Sequence, residues 1–261
     1  MTSSFESDLH NYLTGVYPQK IEILSSFPCL YKLIDLKLIF CLYTYEYQLN
    51  TEKTFFQNPF LDCNFVWIYE DQWHLKNEII KSRIHSLLSL NKKISARTCL
   101  LKRIDKGDCD KFMAENHLIG STQAGFKYGL FLKNELVAVA TFSKARVMVD
   151  SDVYYHSYEL IGFANKKYFT VVGGLQKLIK NFILEKNVVH LMTYIDLDWG
   201  MGNAFKKMGF KEIEKTTAQL FQVNPNTHQR FKYNPLSKGL ISVQNAGSLK
   251  MILDLRYNEQ H

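Results

Sequence analysis

Apolar positions change their spacing several times along this chain, and each change marks an element. The first 65 residues are the least periodic, although 35–49 and 63–70 are rich in aromatic and β-branched residues and predict strands, separated by the turn-like TEKTFFQNPF. After Trp73 the period lengthens: Leu75, Ile79, Ile80, Ile84, Leu87 and Leu88 recur every three to four positions, which predicts a helix over 74–90 with one buried face. Residues 91–95, NKKIS, read as a connector to a second unit.

From Cys99 onward turn and cap residues punctuate the pattern. CLLKRI predicts a strand and GDCDKFMAENH a helix with Gly120 beyond it as C-cap. FKYGLFL and ELVAVATFS predict a hairpin turning at Lys133-Asn134. YYHSYELIGFA predicts a third strand, and TVVGGLQKLIKNFILEK a helix led by a glycine pair. VVHLMTYIDL predicts a buried strand, GNAFKKMG a short helix closed by Gly209, and FKEIEKTTAQLFQV and QRFKY two last strands. SLKMILDL in the tail can add another. The expected fold class is α+β: a mixed, mostly antiparallel sheet with flanking helices over 96–261, preceded by a small mixed α/β region over 1–95.

Composition narrows the class. Of 261 residues, 46% are hydrophobic and 22% charged, which excludes collagen-like and disordered chains. No apolar run is long enough to span a bilayer, and the acidic start does not resemble a secretory signal, so a cytoplasmic protein away from membranes is expected. Cys29, Cys41, Cys63, Cys99 and Cys109 are odd in number and widely spaced, which favours free thiols and no metal site. The net charge of +7 is unevenly placed: 1–75 carry a net −5, and 76–106 alone carry +7. Lys92, Lys93 and Arg97 lie in that basic stretch, which suits either a solvated face or a nucleic-acid footprint.

The succession of elements from 97 to 235 resembles the GNAT acyltransferase fold. Two local strings carry the resemblance: Thr170-Val171-Val172-Gly173-Gly174 leading into a helix, and Asn203 through Phe210. The resemblance implies acetyl-CoA or another acyl-CoA as cofactor. It places the diphosphate on the backbone of Val171, Val172, Gly173 and Gly174, the thioester arm on the main chain at Ile161 and Phe163, and a groove contact at Asn203. Glycines and a helix N-terminus offer unpaired donors to phosphate whatever the family. The string departs from the usual loop spacing, and Phe205 stands where many such enzymes carry an acidic tyrosine. A narrower similarity, over 68–235, is to phage-type proteins in which a Vsr-like or homing-type endonuclease domain precedes a GNAT-like one. It implies DNA processing on a mobile element.

Acyl transfer to an amine needs a base, polarising donors and an acid for the departing thiolate. Glu159 and Asp196 are the candidate bases, with Asp198 just beyond, and Tyr194 a candidate acid. Each also suits a structural role. His117 is a candidate substrate contact or a helix-end residue. The leading expectation is an acyl-CoA-dependent N-acyltransferase whose acceptor is nucleic acid or nucleotide-linked. The alternatives are a catalytically silent DNA-binding module on the same scaffold, and a residual endonuclease using Glu70 or Asp71.

Overall fold

A computed structural model describes residues 4–18, 21–26, 29–46 and 63–256. Part of the expected strand at 35–49 and the turn-like 51–60 lie outside these residues. The fold is α+β, with mostly antiparallel sheets. By proximity the chain forms two compact units, each assembled from separated segments: 1–80, 196–201 and 215–248 in one, and 81–195, 202–214 and 249–261 in the other. In this division residues 215–248 group with the N-terminal segment.

In the first unit, helix α1 (Ser4–Val16) precedes a four-stranded sheet ordered β1 (Ile21–Ser26), β2 (Cys29–Leu33), β3 (Leu38–Tyr43) and β4 (Asn64–Tyr69). The first two neighbouring pairs are antiparallel and β3–β4 is parallel. Strand β3 is buried along its whole length, so it reads as a continuous apolar run without alternation. Helix α2 (Glu70–Leu87) follows, with a non-helical residue at Lys76 that separates its first turns from the regular part.

The second unit is built on an eight-stranded sheet. Its path runs β13 (Lys211–Lys215), β17 (Ser248–Asp254), β12 (His190–Asp196), β10 (Val153–Asn165), β8 (Glu135–Phe142), β7 (Phe126–Leu132) and β6 (Leu100–Arg103). The eighth, β9 (Arg146–Asp150), pairs with β10 off that path. Helix α3 (Lys106–Asn116) covers one face, where Cys109, Phe112 and Met113 pack with Val139 and Ala164. Helix α4 (Gly174–Lys186) covers the other: Phe182 stacks on Phe142 at 3.9 Å between centroids and meets Phe126, Tyr128 and Tyr158 edge-on or tilted. The short α5 (Asn203–Lys206) precedes β13.

Several sequence expectations change here. Residues 92–95 are a strand, β5, paired in parallel with β11 (Phe169–Val172); Lys92 opposes Phe169 and Ser95 opposes Val172. Helix α3 is capped by His117, and Gly120 closes the next turn by donating its N–H to the His117 carbonyl. The expected strand over 210–223 is two strands, because β14 (Leu220–Val223) leaves for a three-stranded sheet with β15 (Arg230–Lys232) and β16 (Ile241–Gln244). The tail segment does form the expected strand, β17, and it lies between β12 and β13.

Candidate functional site

The strand that organises the site is β10. Against β8 its register slips by one residue, Leu160 opposing Phe142 and Gly162 opposing Thr141, so Ile161 is bulged. A one-residue insertion exchanges the faces of everything beyond it. Glu159 and Phe163, which strict alternation would put on one face, therefore lie on opposite faces. A Cβ at Gly162 would touch the α3 residue Met113 at 3.0 Å, so glycine admits that helix against the bulge.

Beside the bulge the sheet opens. Strands β10 and β12 run parallel and pair only from Ser157–His190 to Leu160–Thr193. The Thr193 hydroxyl donates to the Leu160 carbonyl at 3.0 Å and closes the last paired step. Beyond it, Ile161–Asn165 continues along β8, and Tyr194 on β12 is exposed. The main chain at Ile161 and Phe163 thus flanks a place where two parallel strands part.

The glycine-led helix start lies in the same unit. Gly173 takes a left-handed conformation (φ 76°) as N-cap of α4, and no side chain caps the first turn. The Lys177 N–H donates to the Gly173 carbonyl, which leaves the N–H groups of Gly174, Leu175 and Gln176 as the start of the helix. Val172, Gly173 and Gln176 are exposed, and the nearest atom to a Cβ built on Gly173 is the Ala96 Cβ, at 3.8 Å. Among the described residues no side chain caps this turn or comes closer than that to the Cβ position. Lys177 fixes the neighbouring chain by donating to the carbonyls of Ala96 at 2.9 Å and Cys99 at 2.6 Å. Lys92 and Lys93 on β5 and Arg97 just after it are exposed, on the strand paired to the segment that enters this turn.

The remaining candidates are more constrained. The Glu159 N–H donates to the Ser143 hydroxyl and its carbonyl accepts the Ser143 N–H, so its backbone is tied to the end of β8; its carboxylate is 3.9 Å from Arg146. Asp196 accepts the Asp198 N–H at 3.0 Å, a local turn bond. Asn203 is exposed on the first position of α5, and Phe205 packs edge-on against Phe210 at 5.3 Å. His117 is half-buried at the end of α3.

Two polar clusters in the first unit have no continuous sequence signature. Arg230 forms a bidentate pair with buried Asp71 at 2.8 and 2.9 Å and lies over the rings of Tyr69 and Phe221. The Tyr69 hydroxyl donates to Asp198, which also accepts the Ala246 N–H. Burial, and then the neighbouring Asp196 charge, raises Asp198 to about 7. In the second cluster His228 stacks on His74 at 4.1 Å and its Nδ1 is 2.8 Å from the Tyr45 hydroxyl, while Glu70 accepts the Tyr45 N–H. Asp71 and Glu70, the carboxylates considered for a nuclease, are thus committed to Arg230 and to the Tyr45 backbone. Among the described residues no group of three metal-ligating side chains is placed to hold an ion. No described helix is long and apolar enough to cross a membrane.

No protein-family model matches the chain, and no curated protein matches it. Solved structures do align with it. The Escherichia coli N-acetyltransferase of a ribosomal-protein alanine aligns over 60% of this chain and 94% of its own, with 15% identity and a TM-score of 0.35. A Bacillus subtilis acetyltransferase in complex with CoA aligns over 60% and 99%, with 13% identity and a TM-score of 0.37. A GNAT family acetyltransferase from Elizabethkingia anophelis with acetyl-CoA bound aligns over 60% and 99%, with 15% identity and a TM-score of 0.36. At these identities and TM-scores the alignments assign no residue of this chain a role.

Proposed function

We propose that the protein is an acyl-CoA-dependent N-acyltransferase. The observation that carries this reading is the opening between β10 and β12 beyond Leu160 and Thr193, in the same unit as a glycine-led helix start whose first turn no side chain caps. Bound acyl-CoA would supply an activated thioester. The N–H groups of Gly174, Leu175 and Gln176, reached through the backbone of Val171, Val172 and Gly173, would hold its diphosphate. The main chain at the bulged Ile161 and at Phe163 would line its arm. Glu159 is the preferred base, because Asp196 already accepts the Asp198 N–H; His117 would contact the acceptor. Tyr194, exposed just past the last paired step, is the hydroxyl available where Phe205 has none.

For the acceptor, a nucleic acid or nucleotide-linked amine accords with the exposed Lys92, Lys93 and Arg97, although the same cations suit the phosphates of the cofactor. Acetyl-CoA should raise the melting temperature, by an amount that grows with the logarithm of its concentration once this exceeds Kd. Gly173→Val, strained at positive φ and blocking the helix start, should abolish that rise. Transfer of a labelled acetyl group should be assayed on DNA, RNA and free amines, with Lys92, Lys93 and Arg97 jointly reversed to acids as control. No stabilisation by millimolar acetyl-CoA rejects the reading.

A second reading, a silent scaffold that binds nucleic acid, is favoured by Phe205, whose ring is used against Phe210. It expects salt-sensitive binding indifferent to acetyl-CoA.

A further inference from the structure

The hairpin formed by β9 and the first part of β10 is the most exposed apolar feature among the described residues. Val147 is 64% exposed, Met148 43%, Val149 56%, Val153 62% and Tyr154 74%. Its turn, Ser151-Asp152, has both residues at positive φ (47° and 67°), the two-residue geometry that matches strand twist and makes a stiff ribbon. One edge of β9 is paired to β10, from Asp150–Val153 to Arg146–Ser157. The other takes no strand partner among the described residues. Proteins usually blunt such an edge with lysine, proline or a bulge, and Val147-Met148-Val149 has none of these.

We infer that this edge joins a second copy of the chain, β9 pairing antiparallel with β9 about a two-fold axis through Met148. The register argues for it. A two-residue turn makes Asp150 and Val153 a hydrogen-bonded pair, and alternation then aims the backbone groups of Val147 and Val149 at the free edge. In the two-fold arrangement these positions meet: Val147 of one copy opposes Val149 of the other, twice, with Met148 facing Met148. The strand is also its own charge complement. In RVMVD the same operation sets Arg146 opposite Asp150 of the other copy at both ends, an isologous contact with no like charges facing across it. Within its own chain Asp150 is 3.1 Å from Arg256, and Arg146 is 3.9 Å from Glu159, so both ends are held in place without being buried. Tyr154, which opposes Val149 on β10, lies on the same face and extends the apolar surface beside the new seam.

The test is the mass of the full chain across micromolar and higher concentrations, by sedimentation or light scattering. The wild type should reach a dimer. Arg146→Asp puts two acids face to face at each end, and Asp150→Arg two guanidinium groups, so each alone should weaken dimerisation by about tenfold or more. Mixing the two variants should restore it as a heterodimer, because every end then carries opposite charges. Circular dichroism and melting of each variant separate a lost contact from a lost fold, and Val149→Lys, exposed in the monomer, gives a second disruption. A wild type that stays monomeric, a dimer unchanged in all three variants, or a mixture of folded charge variants that stays monomeric would overturn the proposal.

Discussion

Asp71 and Arg230 are 159 positions apart in the chain and meet as a bidentate pair, with Asp71 only 2% exposed. Removing one partner leaves the other charge buried and unsatisfied, which costs far more than the pair contributes in net. Asp71→Ala should therefore lower the unfolding free energy by about 3–5 kcal/mol in denaturant titration, and Asp71→Ala with Arg230→Met should recover part of that loss. Asp198 governs a pH dependence. Its folded value, about 7, lies above its ordinary 3.8, so between these values the folded state holds more protons than the unfolded one. Stability from this group is complete below 3.8 and is lost as pH rises toward 7. Asp198→Asn keeps an acceptor for the Tyr69 hydroxyl and the Ala246 N–H. It should flatten that fall in a series of melts between the two values. None of these partners was legible in the sequence, because a pair closed by the return of residues 215–248 leaves no spacing to read. Phe5, Leu9 and Leu13 did leave one: they recur every fourth residue and are wholly buried on α1, a helix missed beside less regular neighbours.

Elements were legible where local chemistry agreed with the final environment. The Lys133-Asn134 hairpin, the glycine-led α4 and the helix 106–116 each have a turn or cap that acts within a few residues. The missed elements depend on distant partners. Strand β5 is four residues with two lysines, and only parallel pairing with β11 makes it a strand. Strand β9 is exposed along nearly all its length, so no buried alternation marks it. The bulge at Ile161 could not be seen at all, since it is a mismatch between two strands. On this scale Phe182 is the main tie between α4 and the sheet, and Phe182→Ala should cost about 3–5 kcal/mol by loss of its aromatic contacts. Gly247, at φ 80°, precedes β17; a Cβ there would lie 2.5 Å from the Thr216 carbonyl oxygen, so Gly247→Val should lower the melting temperature sharply.

For the molecule as a whole, the sequence resemblance ended near 235, before the strand that completes the large sheet. A fragment of 97–235 lacks β17, which lies between β12 and β13, and should not fold cooperatively, whereas the full chain should. Soluble, sharply melting 97–235 would contradict the strand order.

The excursion at 215–248 leaves and rejoins at one neck, where the Thr216 N–H donates to the Ser248 carbonyl and the Ser248 N–H returns to the Thr216 hydroxyl. Because the first unit takes residues from both sides of the second, a ribosome must deliver almost the entire polypeptide before that unit can close. Until then β3 and β4, apolar and already synthesised, depend on chaperones or on transient collapse for protection, so lowering chaperone supply should reduce yield of the nascent protein more than it affects the finished one.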